Sequence, residues 1–419
     1  MSDDLDGLRE RLERRAPGEW ELYEKSAESL ELEAAAGHRA TFSRRERGWA
    51  ARWWAGGAPR FACASSPENL DRALAEASAI ETLPEPPPPW PSGRSLPRQT
   101  SGAVEPPPDL FDELQRLLSS EARGGALLKR LTLRRGASSE RVVNARGLDV
   151  SFSTTLFLGI ALAVGRKGSR AFEGRAVFRW DGKPDLEALA RRLADRATLP
   201  LSDRPTPIER GEWLLEPSVA AALLAGLAPL FCEDALPKWV HRAGLFSPGV
   251  TIADDASADA VYDGEGTPTR RVTIVENGAL AARLHDLRSA GRAGAAPTGH
   301  GVRHSYRVPP SARPRRLFFE AAAPAPARDL LAAVRRGLFA SALTAPARLD
   351  LERDRYELEF TGITIIGGRA AGAVAGAMAR GRISRLLRHV AAFSTDRQFF
   401  PMPYPVGAPT VLIERSDFE

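Results

Sequence analysis

From Pro217 to Cys232 the chain reads Pro-Ser-Val-Ala-Ala-Ala-Leu-Leu-Ala-Gly-Leu-Ala-Pro-Leu-Phe-Cys, without a single charge. A run of this kind predicts a buried element, and it is shorter than the ~20 apolar residues needed to cross a bilayer. The pattern therefore predicts a core helix. Pro217 suits its first position, where the missing N–H would be unpaired anyway and the fixed φ already matches a helix. Pro229 removes the hydrogen bond back to Ala225 and predicts an end or a kink there.

Upstream, charges alternate with Leu, Trp20 and Tyr23 at rough helical spacing from about residue 4 to 35, which predicts one or two amphipathic helices. From Arg39 short aromatic-containing runs flank Gly56-Gly57, the signature of two strands joined by a tight turn. Ser66-Pro67 then opens a helix with Leu70, Ala73, Leu74, Ala77 and Ile80 on one face. Trp49, Trp53 and Trp54 read as strand residues packed under that helix rather than as a platform for bases. Residues 84–108 are dominated by proline, and a stretch with so few backbone donors predicts a linker; Trp90 within it leaves a proline-rich recognition motif as the alternative.

Beyond the linker, Asp109–Leu118 reads as a helix. Leu131–Leu133, Arg141–Val143, Leu148–Ile160 and Ala176–Trp180 read as strands of an antiparallel sheet, with Asn144-Ala-Arg-Gly147 as a turn. Pro184–Ala197 predicts an amphipathic helix that turns Leu186, Leu189 and Leu193 to the sheet. After the central helix the pattern gives a loop over Trp239–Ser247 and strands near Val250 and at Arg315–Glu320. It then gives a helix from Asp329 ending near Gly337, two long strands over Arg353–Thr364 and Gly368–Met378, and a last helix over Ile383–Phe393. The fold class expected is α+β, divided as 1–83, the linker 84–108, a central unit 109–207 and a β-rich unit 208–419.

At 419 residues the chain is long enough for two or three domains, and 43% hydrophobic with 26% charged residues is ordinary for a globular protein. The net charge of +5 comes mostly from arginine. These basic residues are scattered among acids and no basic segment is interleaved with aromatics, so nucleic-acid binding is not expected. Cys63 and Cys232 form no metal-ligand pair or redox motif, and reduced thiols are expected. The acidic start, Met1 to Asp6, does not resemble a secretory signal, and no membrane segment is apparent; a cytoplasmic location follows.

Candidate chemistry gathers in two segments. Asp263 and Glu265, one residue apart in Tyr262-Asp-Gly-Glu-Gly-Thr-Pro268, would share a face on a strand and could do acid–base work. No nucleophile or ligand accompanies them, which favours solvated turn carboxylates. His300 and His304, in Thr298-Gly-His-Gly-Val-Arg-His304, have the spacing of two ligands on a helix. Gly299, Gly301 and Pro309-Pro310 oppose a regular helix, and Arg303 and Arg307 would repel a cation.

The order and spacing of these segments resemble the TldD/PmbA (TldE) family. The family's marks are the apolar helix from Trp213 to Asp234, the Asn144–Gly147 turn, Asp263-x-Glu-Gly-x-Pro268 followed by a strand and Asn277-Gly278, and the closing Gly407-x-Pro-Thr410. The family usually has Asn where His300 stands, in a segment that lines its central cavity. The resemblance implies N-terminal sheet-and-helix units and a larger C-terminal domain of barrel or sandwich type. In the catalytic TldD branch the helix carries a His-Glu-x-x-x-His zinc motif, followed by an acid, with a cysteine farther on as third ligand. Laid on this chain without gaps, those positions fall on Ala225, Gly226, Leu230, Glu233 and Thr395. Only the acid, Glu233, survives, and methyl, isobutyl or hydrogen side chains give zinc no lone pair. The resemblance thus implies a TldE-like, non-catalytic chain without a cofactor of its own. It would partner a zinc-bearing TldD-like subunit, line a shielded peptidase chamber and bind peptide, with Asp263, Glu265, His300 and His304 as candidate substrate contacts. The alternatives are a free-standing peptide-binding or scaffold homodimer, and an active hydrolase built from those same four residues.

Overall fold

A computed structural model describes residues 3–35, 38–80, 82–93, 98–100, 109–121, 126–179, 185–201, 210–232, 236–240, 246–258, 260–402 and 404–417. Its helices are α1 (Asp3–Arg15), α2 (Pro67–Ser78), α3 (Leu110–Glu121), α4 (Leu186–Thr198), α5 (Pro217–Leu227), α6 (Pro229–Cys232), α7 (Leu287–Ala293), α8 (Ala327–Ala333) and α9 (Ile383–Arg388). The strands up to residue 179 are β1 (Trp20–Ala35), β2 (His38–Ala55), β3 (Ala58–Ala64), β4 (Arg98–Thr100), β5 (Leu127–Asn144), β6 (Asp149–Lys167) and β7 (Arg170–Arg179). They form one sheet in the order β3-β2-β1-β5-β6-β4, with β7 also on β6. Strands from both sides of the proline-rich segment therefore pair directly.

Beyond these come β8 (Arg210–Leu215), β9 (Val250–Asp255), β10 (Arg271–Glu276), β11 (Ala279–Leu280), β12 (Gly301–Val302), β13 (Ser311–Ala312), β14 (Leu317–Ala321) and β15 (Arg336–Leu343). The remainder are β16 (Arg348–Asp350), β17 (Arg355–Ile366), β18 (Arg369–Gly381), β19 (Val390–Phe393), β20 (Gln398–Pro401), β21 (Pro405–Ala408) and β22 (Val411–Asp417). One sheet runs β11-β10-β9-β14-β21-β20, and a second runs β16-β17-β15-β8-β22-β19 with β18 on β17. Residues of α5, among them Val219, Leu224 and Leu227, share one buried core with Ile252 and Phe319 of the first sheet and with Trp213, Leu338 and Phe360 of the second. An uncharged helix is what such a position requires, because it meets apolar side chains on more than one side. The class is α+β with a β-rich C-terminal part, and no described helix is long and apolar enough to cross a membrane.

Several local expectations hold. Gly56 and Gly57 turn at φ +62° and +75° between β2 and β3, the left-handed pair a two-residue hairpin needs. The Ser66 hydroxyl caps α2 from the Asn69 N–H, and Leu70, Leu74 and Ala77 are buried on the helix face over Trp49 and Trp53. Glu216 caps α5, Pro217 occupies its first turn, and Pro229 begins a separate short helix.

Others need correction. Only residues 3–15 of the expected N-terminal helices are helical; Trp20–Ala35 is a sixteen-residue strand. Leu30-Glu-Leu-Glu-Ala34 has period two, and Glu31 and Glu33 meet Arg134 and Arg130 on β5. Ile80 lies past the end of α2 and is 60% exposed. The helix expected from Asp329 to Phe339 stops at Ala333, and Arg336–Leu343 is a strand parallel to β8. Gly337 permits that pairing, since a Cβ there would lie 2.1 Å from the Glu212 carbonyl oxygen. The last helix ends at Arg388, because Val390–Phe393 joins β22. Glu233 and Trp180 lie outside the described residues.

Candidate functional site

On the expected zinc positions the helix presents hydrocarbon. Leu230 is buried in the main core, Ala225 packs against it, and a Cβ on Gly226 would meet the Leu349 side chain at 3.0 Å. Thr395 is exposed, with its N–H donating to the Ala325 carbonyl at 3.0 Å. These groups do not fit a zinc ion, which needs imidazole, thiolate or carboxylate donors. Among the described residues no three His, Cys, Asp or Glu side chains group as metal ligands would.

The carboxylates of the 263–268 turn, read from sequence as solvated, are fully buried. Asp263 accepts the N–H groups of Glu265 and Thr267 on one oxygen, each at 2.9 Å, and that of Gly301 on the other at 2.8 Å. Glu265 accepts the Leu287 N–H at 2.7 Å and lies 2.6 Å from a terminal nitrogen of Arg52. The turn closes against β6: Gly266, at φ +74°, could not carry a Cβ, which would stand 2.4 Å from Leu148.

Arg52 and Glu21 come from neighbouring strands of the N-terminal sheet. Arg52 Nε and Nη2 donate to the two oxygens of Glu21 at 3.0 and 2.8 Å, a bidentate pair. The second cation on Glu21 is Arg303, which also donates to the Gly264 carbonyl at 2.7 Å and stacks 4.5 Å above the Tyr23 ring. The Tyr23 hydroxyl donates to Glu140 at 2.8 Å. All four charged side chains of this core, Glu21, Arg52, Glu265 and Arg303, are at most 6% exposed. Tyr306 covers Gly48 on β2, where a Cβ would lie 2.4 Å from its ring. Together these residues lock the N-terminal sheet onto the loops of the C-terminal part.

Electrostatics follow from that burial. Burial pushes Glu265 up to about 8, against the pull of the Arg52 guanidinium and with help from Asp263. Asp263 is raised for the same reason, although its three N–H donors oppose the shift. Burial would depress Arg52, but Glu21 and Glu265 outweigh it and hold the guanidinium above its ordinary value. Tyr23 is raised by burial and by Glu140.

His300 is buried between two partners: Nε2 lies 3.0 Å from Asp254, and Nδ1 is 2.9 Å from the Thr298 carbonyl. Asp254 also accepts the N–H groups of Arg315 and Arg316, both at 3.0 Å. His304, four residues on, is exposed, and Gly301–Val302 between the two histidines is strand, not helix. Asp263 and Glu265 thus lie in one buried network, His300 is buried beside it with Asp254 and Thr298 as its ring partners, and His304 stands outside both. Glu265 Oε1 meets Arg52 as an ion pair at 2.6 Å without hydrogen-bond geometry, whereas the other carboxylate oxygens described here accept hydrogen bonds, which suits positioning rather than attack on a substrate. Sequence reasoning missed Glu21 and Arg52 altogether. Each is a lone charge in an apolar run, Trp-Glu-Leu-Tyr and Ala-Ala-Arg-Trp-Trp, and that isolation was the available signal.

Comparison with known proteins places this arrangement. Residues 212–419 match the family model of the PmbA/TldA metallopeptidase C-terminal domain. An uncharacterised protein of Methanocaldococcus jannaschii is 30% identical over 209 residues, covering 45% of this chain and 48% of that protein. A metalloprotease of Methanothermobacter thermautotrophicus is 27% identical over 180 residues, 39% of this chain and 40% of that protein. The chain therefore spans about half the length, or less, of these two relatives. Among solved structures, TldE from Thermococcus kodakarensis superposes with a TM-score of 0.82 at 18% identity, covering 99% of each chain. A Thermotoga maritima protein described as a candidate modulator of a DNA gyrase gives 0.82 at 19% identity, over 99% of this chain and all of that one. At such identities the likeness is one of fold.

Proposed function

Because the chain belongs to the TldD/PmbA family, we propose that it serves as the TldE-like, non-catalytic subunit of a peptidase whose zinc is carried by a TldD-like partner. The observation behind the reading is the hydrocarbon at the helix positions: Ala225, Gly226 under Leu349, and Leu230 in the core. A zinc-bound water needs both a metal held by lone pairs and a nearby base, and these side chains supply neither. The buried network around Glu21, Arg52, Glu265 and Arg303 then has a mechanical task. It holds the N-terminal sheet at a fixed angle to the C-terminal domain, so that the pair of subunits can enclose a peptide between rigid walls.

The experiment is affinity purification of the tagged chain from its source lysate, with metal analysis of the complex and of the isolated chain. The reading expects a co-purifying His-Glu-x-x-x-His protein that bears all the zinc, and peptidase activity only in the complex. Stoichiometric zinc in the isolated chain would overturn it. Recovery as a homodimer alone would transfer the chain to the free-standing peptide-binding class.

A further inference from the structure

Residues 82–93 read Thr-Leu-Pro-Glu-Pro-Pro-Pro-Pro-Trp-Pro-Ser-Gly. Every residue from Leu83 to Pro91 is proline or directly precedes one, which confines the backbone to an extended, polyproline-type course with three residues per turn. Burial keeps that period. Pro88 is buried, with Glu85 and Pro91 half-buried on the same edge, while Leu83, Pro84, Pro86, Pro87 and Pro89 are exposed. The segment expected to act as a linker is therefore a strap fastened along one edge.

Its contacts fall on both halves of the molecule. On the C-terminal side, Arg288 Nε donates to the two oxygens of Glu85 at 2.7 and 2.8 Å, Arg292 stands 3.7 Å away, and Pro89 lies beside Gly291, all on α7. On the sheet side, the Glu85 N–H donates to the Gly57 carbonyl at 2.9 Å, and Asn144 Nδ2 and the Asp149 N–H donate to the Pro91 and Gly93 carbonyls at 2.8 and 3.0 Å. The Trp90 indole N–H donates to Glu19 at 2.6 Å, and its ring lies 5.1 Å from the Arg52 guanidinium. The strap thus covers Arg52 from outside, and it grips the same helix whose Leu287 N–H reaches Glu265.

These two layers are held very differently. Six of the twelve strap residues are proline and have no N–H to donate, and most of the segment is exposed. Arg288 and Arg292 are 47% and 44% exposed, so salt screens their hold on Glu85. The Glu21–Arg52–Glu265–Arg303 network beneath is buried. Segments with little buried apolar surface open at a free energy below that of global unfolding, whereas core elements open only with it. We propose that residues 82–93 are a latch, closed in the resting molecule, that lifts from α7 and Arg52 while both halves stay folded, and that lifting admits water to the buried network and loosens the joint. Water around Arg52 raises the local dielectric and weakens its attraction to Glu21 and Glu265, which is how the outer layer controls the inner one.

Native-state hydrogen exchange of the full chain, read residue by residue, is the test. The probes are the Leu287 and Gly301 amides, which Glu265 and Asp263 hold, and the controls are amides of α5 and of the β1–β5 ladder. Glu85→Gln, which keeps the shape of the side chain and removes its charge, should speed the probes at least about fivefold and leave the controls unchanged. Trp90→Ala should do the same, and added salt should speed the probes in the parent chain but hardly in Glu85→Gln. Probes that keep the parent rate in Glu85→Gln would overturn the proposal, because the strap would then be a passive cover. Acceleration of probes and controls together would overturn it as well, since the strap would then come away only as the whole fold does. Should either variant not fold, the salt series on the unmutated chain decides by the same two criteria. The latch requires no zinc-bearing partner, so it and the subunit reading can fail separately.

Discussion

Truncating Glu21 to alanine removes the one carboxylate that two buried arginines share. Arg52 would lose its bidentate contacts at 3.0 and 2.8 Å and keep only Glu265 at 2.6 Å. Arg303 would keep the Gly264 carbonyl at 2.7 Å and the face of Tyr23, neither of which carries a formal negative charge. Deleting one member of a buried ion pair costs about 3–5 kcal/mol, because the remaining charge stays out of water without its partner. With two cations stranded instead of one, the upper end of that range is expected, a large part of the 5–15 kcal/mol that typically holds a domain folded. Some relief comes from Glu265, which two uncompensated arginines would drive toward ionisation. Glu28→Ala is the matched control, because its partner Arg45 at 3.2 Å is 84% exposed and such pairs contribute about 1 kcal/mol or less. Calorimetry and urea unfolding at neutral pH would read both variants. A Glu21→Ala variant no less stable than Glu28→Ala would refute the claim that this network locks the sheet to the C-terminal part.

Glu265→Gln tests the pH dependence of the same network. With its folded pKa raised from the ordinary 4.5 to about 8, Glu265 contributes stability that is full below about 4.5, falls by up to ~1.4 kcal/mol per pH unit between about 4.5 and 8, and is lost above that; urea midpoints across that range should fall less steeply in Glu265→Gln than in the parent chain, and equal slopes would count against the assignment. Gly165→Ala should cost about 1–3 kcal/mol or more, since its Cβ would stand 2.2 Å from the Ala197 carbonyl of α4, while Gly136→Ala, with Leu156 at 3.8 Å, should leave the melting temperature nearly unchanged. Asn144→Ala should cost about 1–3 kcal/mol by stripping acceptors from the Arg146 and Leu148 N–H groups and a donor from the Pro91 carbonyl, and should speed amide exchange at Leu148 and proteolysis within 82–93.

Local chemistry was readable wherever the deciding atoms lie within a few residues. Gly56-Gly57 gave the hairpin, Ser66-Pro67 the start of α2, Asn144 to Gly147 a turn, and the uncharged run from Pro217 the central helix. The expectation of helix over Trp20–Ala35 fails because what decides it is remote: β5, about a hundred residues on, supplies Arg130 and Arg134 to its glutamates. The 263–268 turn shows the same division. Its position as a special segment was legible, but its burial was not, since Arg52 and Leu148 come from another part of the chain. Glycine at 266 and at 301 was the usable hint. At Gly301 a Cβ would stand 2.3 Å from Glu265, so these glycines mark where the two loops and the sheet press together.

Two motifs that would each be taken for chemistry therefore part company. At the helix positions where the catalytic branch of the family would hold zinc, Leu230 fills the core, Ala225 packs against it and Gly226 lies under Leu349, so apolar packing governs them. The Glu21–Arg52–Glu265–Arg303 network is governed otherwise. Its side chains hold one another across the junction between sheet and loops, so a single replacement leaves a partner buried and unpaired, and only a concerted exchange would be tolerated. The Asp263-x-Glu-Gly-x-Pro268 turn is thus constrained by the joint between sheet and loops, through the contacts of Glu265 with Arg52 and of Gly266 with Leu148.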